Sequence, residues 1–481
     1  MVDVLLIHPP YAWPNKSHPL GLAYIAAVLE QSGFAVQIID MDPMEMSVRD
    51  LRIEIIKIKP KIVGISFMTP QYNYAVEILK LIKEVDSDIK TIAGGTHVSA
   101  LPKEMLDIHE LDFIVIGEGE ITAKELVSVL IGNSNKSLEN IPGIGFVQNS
   151  KVFLNEPREL IADLDNLPFP SWHQLPMGRY SVANLGSEKN RPVYPLLSSR
   201  GCPNQCIFCS SHVIFKRKFR KRSADNIIDE IEFLERKYDA KQFDFVDDTI
   251  TVDRKRMDCL CDYFILAKKD FLWMCNSRVN TVTPHLLKKM YRAGCCKIDF
   301  GVESGNQDIL NNIKKGITIE QVIKAHRWAK EAGLVVSSFF MVGNLGETEE
   351  HIRRTADFID KLKTDYVAAT IATPFPGTEL YSMANSKGWI RERDWSKYDT
   401  TAFISKDYKP VATNDMMDRE QLLKTYFFLN ARILKLKLKL KYGKYYLFNY
   451  RFYYEQLITR ITHLGFFQTF KLILNLLLQR R

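Results

Sequence analysis

Residues 1–145 alternate short, almost continuously apolar runs with longer segments of helical periodicity. The runs are rich in Val and Ile, and turn-forming residues separate them. Such runs are typical of parallel strands that helices bury on both faces. The pattern therefore predicts an α/β unit with a doubly wound, flavodoxin-like sheet. The segments that carry the pattern are 3–8, 22–31, 35–40, 53–58, 62–67, 74–85, 89–93 and 113–116.

The loops that follow these predicted strands are rich in glycine, proline and small polar residues. They occupy positions 8–10, 66–70, 94–99 and 117–120. Because parallel strands end at the same edge of a sheet, the loops should line one crevice, where folds of this kind bind ligands. Glycine in such a loop lets the backbone approach a large ligand closely.

A second α/β pattern occupies residues 192–390. Six βα units predict a parallel sheet that curls into a partial (β/α)6 barrel, with its chemistry at the carboxyl ends of the strands. Residues 146–191 combine prolines and aromatics without periodicity, so we expect a linker that runs between the domains and over the active site. The six strand-like runs begin near Val193, Gln242, Leu272, Lys297, Val335 and Tyr366.

Residues able to bind a charged ligand stand at the ends of the later barrel strands. One acidic residue at a strand end is weak evidence, since surface loops carry acids freely. Several such ends that meet at one edge of a barrel indicate a site. In chain order these residues are Asp247, Asp248, Arg278 and Glu303, and the two later strand ends carry Gly343 and Pro376.

Three cysteines at C-x-x-x-C-x-x-C spacing follow the first predicted strand, residues 196–199: Cys202, Cys206 and Cys209. Thiolates are soft ligands, and an iron–sulfur cluster is the commonest group that three closely spaced ones hold. Three thiolates leave one iron of a cubane cluster with an open position. A zinc site would need His212 as fourth ligand. A disulfide would need an oxidising compartment and suitable geometry.

The segment C-P-N-Q-C-I-F-C over residues 202–209 resembles the motif of the radical S-adenosylmethionine (radical SAM) superfamily. The resemblance implies a 4Fe–4S cluster on the three cysteines, with SAM on the fourth iron. It implies reductive cleavage of SAM to a 5′-deoxyadenosyl radical, which abstracts hydrogen from an unactivated C–H bond. The electron would come from an external donor of the flavodoxin or ferredoxin type.

By the same resemblance, the strand ends would bind SAM. Asp247 or Asp248 would take the ammonium group, and Glu303 would contact the ribose. Arg278 would pair with the SAM carboxylate through two hydrogen bonds. The residues that would close around the adenine are Phe208, Gly343 and Pro376.

The first unit resembles the cobalamin-binding domain that precedes many radical SAM domains. The resemblance rests on P-L-G-L-A-Y-I-A-A-V-L-E-Q-S-G-F over residues 19–34, A-G-G-T-H-V-S-A-L-P over 93–102 and V-I-G-E-G-E over 115–120. The family's D-x-H-x-x-G pattern is incomplete here, because Lys16 stands where the aspartate before His18 should be. The resemblance therefore implies cobalamin held without a protein histidine ligand, and a turn is the favoured role of His18. The implied contacts are Ser66, Thr69, Gly94, Gly95, His97, Ser99, Gly117 and Glu118.

The excess of positive charge lies near the C-terminal end of the sequence. The 481 residues carry a net charge of +8, and residues 411–481 account for it with thirteen Lys and Arg against four Asp and Glu. A local excess argues against a nucleic-acid-binding protein and for one basic surface. Residues 391–481 should be mainly helical. Within them, the interrupted apolar stretch 466–478 fits either a helical cap on the barrel or contact with an anionic membrane surface.

The remaining composition indicates a location. The start of the chain lacks the features of a signal peptide, and no stretch is long and apolar enough to span a membrane. Eight cysteines in such a chain suggest reduced thiols in a cytoplasm, with the inner face of the membrane as the peripheral alternative. Five cysteines do not repeat a cluster spacing and are expected to pack in the core or line the barrel; they are Cys259, Cys261, Cys275, Cys295 and Cys296.

The leading hypothesis is a cobalamin-dependent radical SAM enzyme that methylates carbon in a small, hydrophobic or lipid-like substrate. The same architecture occurs in anaerobic cyclases, such as those that make the fifth ring of porphyrins, and the two functions stay alternatives at this point. A methylthiotransferase would need further cysteines in the first domain, and none precedes Cys202. The remaining alternative is a protein that is not an enzyme, namely a cobalamin or redox sensor without catalytic activity.

Overall fold

The computed structural model of the chain describes residues 2–11, 18–180, 192–362, 364–398 and 408–442, which form two sheet-centred domains and a C-terminal helix. The N-terminal domain contains β1 (Val4–His8), α1 (Leu20–Gln31), β2 (Val36–Asp40), α2 (Val48–Ile58), β3 (Ile62–Ser66), α3 (Tyr72–Val85), β4 (Lys90–Gly94), α4 (Thr96–Ala100), α5 (Pro102–Met105), β5 (Phe113–Val115), α6 (Glu120–Leu130), β6 (Ile144–Gln148) and β7 (Lys151–Leu154).

The N-terminal sheet has the strand order β2-β1-β3-β4-β5-β6-β7. Strands β1 to β5 are parallel, and their order is that of a flavodoxin-like fold, as predicted. Alternate residues of β1 enter separate cores: Val4 and Leu6 face one side of the sheet, and Leu5 and Ile7 face the other. The antiparallel hairpin β6–β7 extends the sheet beyond residue 145, where we expected the domain to end.

The central domain contains β8 (Val193–Leu196), β9 (Ser199–Arg200), α7 (Ser211–Phe215), β10 (Arg220–Lys221), α8 (Ala224–Tyr238), β11 (Gln242–Phe245), α9 (Arg254–Leu266), β12 (Leu272–Ser277), α10 (Pro284–Arg292), β13 (Cys295–Glu303), α11 (Gln307–Asn312), α12 (Ile319–Glu331), β14 (Val335–Val342), α13 (Glu349–Lys361), β15 (Tyr366–Ile371) and α14 (Glu379–Ser386). Several of its helices begin at a hydroxyl cap. Ser223 before α8 and Thr318 before α12 each accept the backbone N–H three residues on, which satisfies an otherwise unpaired donor.

Six parallel strands form the central sheet in the order β15-β14-β13-β12-β11-β8, the open (β/α)6 arrangement that was predicted. Two boundaries differ from expectation. The first strand ends at Leu196, and Ser199–Arg200 pairs instead with β10 in a separate two-stranded sheet. The fourth strand begins at Cys295, so the adjacent cysteine pair lies within it.

The linker and the tail both pack against the domains. Ser171 donates to Glu30 of α1 at 2.5 Å, and Trp172 Nε1 donates to Glu230 of α8 at 3.2 Å, so the described part of the linker is held between them. Helix α15 (Arg419–Tyr442) buries Leu429 and Ile433 against the barrel. The described tail is therefore a cap on the barrel; stretch 466–478 lies outside the described residues, as does 181–191 of the linker.

Candidate active site

The three motif cysteines lie on one loop between β9 and α7. Gly201 turns the chain into this loop with a φ of +80°, and a Cβ there would stand 2.4 Å from the Lys218 carbonyl oxygen. Only glycine fits such a position without moving the backbone. Cys206 is buried, while Cys202 and Cys209 are half-buried. The loop thus presents its thiols at the carboxyl-end side of the first barrel strand.

Hydrogen-bond donors surround the thiols. Asn204 Nδ2 donates to Cys202 Sγ at 3.0 Å, and Arg278 Nη1 donates to Cys206 Sγ at 3.7 Å. Burial, then a neighbouring carboxylate and the two other thiols, raises the pKa of Cys209 to about 11. The two other thiols therefore lie close enough to Cys209 to act on it electrostatically. Soft ligands with N–H donors aimed at their sulfurs fit an iron–sulfur cluster, whose sulfurs carry negative charge.

The zinc and disulfide alternatives find less support at this loop. All three cysteines are free thiols. In the described part of the chain, no group of three or more His, Cys, Asp and Glu side chains is arranged to hold a single metal ion. A cubane cluster suits the loop better, because its cysteines bind three different irons and stand farther apart than ligands of one zinc ion. His212 Nε2 lies 3.1 Å from the Gly377 carbonyl oxygen.

The two aspartates after β11 have different surroundings. The buried carboxylate of Asp247 accepts the backbone N–H of Ser198 at 3.1 Å, its hydroxyl at 2.8 Å, and the hydroxyl of Ser199. Burial raises the pKa of Asp247. Asp248 is exposed, and Ser211 Oγ donates to it at 2.5 Å. Asp247 thus holds the segment that leads into the cysteine loop, and Asp248 is the better placed of the two for the expected ammonium contact.

Glu303 forms a buried ion pair at the end of β13. Its Oε1 lies 2.7 Å from Lys315 Nζ, and Lys315 Nζ lies 5.7 Å from the centre of the Phe208 ring. Glu303 also has a φ of +71°, a left-handed conformation that costs energy and occurs often at functional sites. The carboxylate expected at the ribose is therefore already paired. Lys315 is a site residue that sequence reasoning missed, because a lysine after a helix carries no motif.

Arg278 contacts the cysteine loop directly. Besides Cys206, its buried guanidinium donates to the Lys315 carbonyl oxygen, and its Nε is buried without a partner in the described part of the chain. The two-bond contact of Arg278 with the SAM carboxylate stays a prediction, and both terminal nitrogens of Arg278 already have protein partners. Nε is the donor that remains for a carboxylate, while Nη1 donates to the sulfur of the neighbouring cysteine.

The strand ends at Gly343 and Pro376 are shaped by close packing. Gly343 has a φ of +90°, and a Cβ there would stand 2.8 Å from Leu422 Cδ2 of α15. Gly377, which follows Pro376, would place a Cβ 2.8 Å from Val213 and 3.1 Å from Ala100 of the N-terminal domain. These strand ends therefore hold α15 and the N-terminal domain against the barrel. Their contact with adenine stays a prediction.

A cavity of about 250 Å³, open to solvent on one side, lies between the N-terminal sheet edge and the cysteine loop. The central domain contributes Leu197, Arg200, Ile214 and Phe215 to its walls, on both sides of the motif cysteines. Most other wall residues are apolar or glycine, which fits a large, flat ligand such as cobalamin. Of the contacts expected for cobalamin, the walls include Ser66, Gly94, Gly95, Gly117 and Glu118.

The other three expected cobalamin contacts do not line the cavity. His97 Nδ1 lies 3.2 Å from Thr69 Oγ1, and burial lowers the pKa of His97 to about 4. Ser99 Oγ accepts the backbone N–H of Gly117 at 2.9 Å. Thr69, His97 and Ser99 therefore support the loops of the cavity wall through hydrogen bonds and do not face the cavity. His18 likewise packs its ring on Tyr180 at 3.9 Å, and burial lowers its pKa to about 3, as suits a structural histidine.

An ion-pair cluster, defined by Arg200, Arg220, Glu118 and Glu120, joins the two domains beside the cavity. Arg200 Nη1 lies 2.9 Å from Glu118 and its Nη2 2.6 Å from Glu120, while Arg220 Nη1 lies 2.7 Å from Glu118. Burial lowers the pKa of Arg200, but the two facing carboxylates outweigh it and the pKa is raised. Sequence reasoning assigned Glu118 to cobalamin and missed Arg200, although a basic residue directly before the Gly-Cys of the motif was a usable signal.

The remaining cysteines lie away from this site. Cys261, Cys275 and Cys295 are buried in the core between barrel and helices, as expected, and Cys296 is half-buried. Cys259 on α9 is exposed instead. All five are free thiols.

Two family models match the chain. The radical SAM superfamily matches residues 196–359, and the B12 binding domain matches residues 13–127. With the fold and the site, they define an enzyme of the radical SAM class that carries a cobalamin domain. Its cofactors are SAM, a 4Fe–4S cluster and cobalamin, and it needs an external reductant and a small-molecule substrate.

The chain belongs to the cobalamin-binding radical SAM family. It is 36% identical over 416 residues to an uncharacterized methyltransferase of Pyrococcus horikoshii, covering 84% of this chain and 88% of the relative. It is 30% identical over 453 residues to the anaerobic magnesium-protoporphyrin IX monomethyl ester cyclase of Rubrivivax gelatinosus, covering 90% and 78%. The solved methyltransferase TsrM of Kitasatospora setae has the same fold, with a TM-score of 0.66 at 17% identity over 82% of this chain and 80% of that one.

Proposed function

We propose that the protein transfers a methyl group from SAM to an unactivated carbon of a small-molecule substrate. One observation carries this proposal: the cavity beside the cysteine loop has walls from both domains, with Ser66 and Gly94 on one side and Arg200 and Phe215 on the other. Methyl carrier and radical source must act on the same carbon, which requires that they share one space. The relative named a methyltransferase, at 36% identity, supports the same choice.

The chain's own residues prepare this space. When bound, the cluster supplies the electron that cleaves SAM and the cobalamin supplies the methyl group. The apolar walls, which include Leu22 and Ile25, exclude water from the reaction. Gly95 lets the loops after β3 and β4 pack closely, because a Cβ there would stand 2.5 Å from the Phe67 carbonyl oxygen. Lys315 holds the Glu303 carboxylate at the end of β13.

Methyl-labelled SAM tests the proposal. Anaerobically reconstituted protein, supplied with reductant and the small molecules of a cell extract, should form both 5′-deoxyadenosine and S-adenosylhomocysteine. One new labelled compound should appear by mass spectrometry, heavier than its precursor by one methyl group in place of hydrogen. Cys206→Ala should abolish 5′-deoxyadenosine, because a cluster held by two cysteines does not bind SAM productively.

The alternative is oxidation or ring closure without methyl transfer. The relative named a cyclase, which this chain matches over 90% of its length, favours it. In that case 5′-deoxyadenosine forms without S-adenosylhomocysteine, and no product carries the label. That outcome would replace the methyltransferase proposal.

We further propose an acidic redox protein of the flavodoxin or ferredoxin type as electron donor. Exposed basic residues, here called the basic surface, adjoin the cysteine loop. Arg217 beside them donates to the Asn204 carbonyl oxygen at 2.8 Å, and Asn204 contacts Cys202. Opposite charge would guide an acidic donor to this side. The basic surface consists of Lys216, Lys218, Lys221, Arg254 and Lys255.

The cytoplasmic location and the peripheral membrane contact stay proposals. In the part of the chain that the structure describes, no helix is long and apolar enough to cross a membrane. Helix α15 packs on the barrel, and the stretch 466–478 that would touch a bilayer lies outside the described residues. A lipid-like substrate depended on that contact and has no other support.

A further inference from the structure

The inner face of the barrel sheet is partly open and carries polar side chains. Residues of the opposite face, such as Phe243, Phe245 and Ile298, are buried in the core. The alternate positions behave differently: Asp244 and Asn276 are half-buried, and Phe339 and Tyr366 are 40% and 57% exposed. A parallel sheet normally has both faces covered by helices. The open, concave face is therefore a candidate for binding substrate.

The strand register brings the polar side chains of this face together. Asn276 of β12 pairs with Asp299 of β13, and Asp299 pairs with Ser337 of β14. Lys297 Nζ lies 3.0 Å from Asp299 Oδ1. Asp244 of β11 pairs with Met274, which pairs with Lys297. Asp244 therefore lies level with Lys297, two residues along the strand from Asp299. We call Asp244, Lys297, Asp299 and Ser337 the inner-face site.

In the inner-face site, one buried hydroxyl lacks a hydrogen-bond partner, and one half-buried carboxylate lacks a cation. Ser337 is 4% exposed, and no described residue forms a hydrogen bond with its hydroxyl. No described residue forms an ion pair with Asp244, whose pKa burial and the neighbouring Asp299 raise to about 7. A buried polar group without a partner costs free energy, which a ligand that supplies the partner recovers.

We propose that the inner-face site binds the amino group of the substrate. This inference rests on the proposed function only in placing the substrate inside the barrel. Lys297 neutralises one of the two carboxylates, so the site keeps one uncompensated acid that suits an ammonium group. The Ser337 hydroxyl accepts a further N–H. Phe339 and Tyr366 on the same face provide apolar contact, so the substrate is an amine with an apolar or aromatic body.

The strand geometry also orients such a substrate. Asp299 and Glu303 lie on β13 four residues apart, a separation of about 13 Å along an extended strand. Glu303 stands at the cysteine end of the barrel, beside Lys315 and Phe208. An amine held at Asp244 and Asp299 therefore directs the rest of the molecule toward the cysteines. The carbon that reacts lies several bonds from the nitrogen.

A matched pair of probes tests the inner-face site. We would titrate cofactor-loaded protein anaerobically with 2-phenylethylamine and with 2-phenylethanol, which replaces the ammonium group by a neutral hydroxyl. We expect the amine to bind at least tenfold more tightly by calorimetry. Asp244→Asn, which keeps shape and removes the charge, should abolish this preference, and Ser337→Ala should weaken amine binding several-fold. Asp229→Asn on the exposed face of α8 is the matched control and should change neither value.

Each result decides the proposal. Equal binding of the two probes, or no amine binding up to millimolar concentration, overturns it, and so does an unchanged preference in Asp244→Asn with normal cluster and cobalamin content. SAM turnover is measured on the same preparations. Amine preference without S-adenosylhomocysteine formation would keep the inner-face site and reject the methyltransferase. Methyl transfer without amine preference would do the reverse.

Discussion

Glu347 lies fully buried in the turn after β14, and its titration should be visible in stability. Its Oε2 accepts the backbone N–H groups of Gly343 at 2.7 Å and Asn344 at 3.1 Å. Burial raises the pKa of Glu347 from 4.5 to about 7. The folded state therefore holds this proton more tightly than the unfolded state does. The free energy of unfolding should fall as pH rises from about 5 to about 8.

Glu347→Gln should remove this pH dependence. The amide oxygen still accepts the two N–H groups, but no charge is buried at high pH. We expect the variant to gain up to about 3 kcal/mol over the parent at pH 8 and little at pH 5. Urea unfolding at both pH values measures this difference. Exposed Glu350→Gln on α13 is the control, and an equal gain at pH 5 would contradict the argument.

At this scale the sequence predicts residue types but not their partners. The spacing of Cys202, Cys206 and Cys209 was enough to predict the cluster loop, because the three expected ligands come from one short segment. Asp247 and Arg278 stand at strand ends as expected, yet protein atoms already bind both. Those partners come from elements up to 49 residues away. Only the packing of the strands decides such contacts.

Among elements, the hairpin β9–β10 holds the cysteine loop against the start of α6 through Arg200. Arg200→Lys keeps the charge but cannot bind Glu118 and Glu120 in the same forked geometry. We expect cobalamin to dissociate about tenfold more readily, because the Gly117–Glu120 loop forms part of the cavity wall, while cluster content stays near normal.

Cobalamin retained per chain after gel filtration, with iron and sulfide content measured in parallel, checks this expectation. Arg236→Lys on the exposed face of α8, which lies outside the ion-pair cluster and the cysteine loop, is the matched control. Unchanged cobalamin affinity in Arg200→Lys would show that the ion pair only stabilises the fold. Loss of both cofactors would show that it holds the whole loop.

Elements were predictable where apolar runs were continuous. Strands β1 to β5 are of this kind, since helices bury them. Strands β11 to β15 bury mainly alternate residues, and they were predictable because a helical pattern follows each strand-like run. The hairpin β6–β7 was missed because β7 is mostly exposed and has no apolar face to recognise. Its turn did carry a sequence signal, the dipeptide Asn149-Ser150, because Asn is favoured in two-residue hairpin turns. In the structure both residues adopt the positive φ that such a turn requires. Strands β9 and β10 have two residues each, too few for any period.

At the scale of the molecule, the basic surface should govern electron delivery. Lys216→Glu combined with Lys218→Glu reverses charge beside the cysteine loop. We expect reduction of the cluster by a reduced flavodoxin to slow at least tenfold at low salt and to lose most of its salt dependence. Reduction by dithionite, a small anion that needs no docking, should change far less. Rapid-mixing absorbance measures both rates.

The control for this experiment is Lys324→Glu, an exposed charge reversal on α12. Equal slowing by flavodoxin and dithionite would point to a damaged cluster rather than a lost docking surface. An unchanged flavodoxin rate would reject the basic surface as the docking side.

The ion-pair cluster between the domains has a consequence for how the chain is made. Glu118 and Glu120 leave the ribosome some eighty residues before Arg200 does, so the first domain folds with two carboxylates that lack their cation. Until hairpin β9–β10 is synthesised, that loop stays hydrated and the wall of the cavity between the domains is incomplete. The same dependence limits modular evolution: a cobalamin domain exchanged between relatives needs the matching hairpin to travel with it. In such an exchange, the two sequences would have to be joined after Lys221, inside the barrel, and not in the linker between the domains.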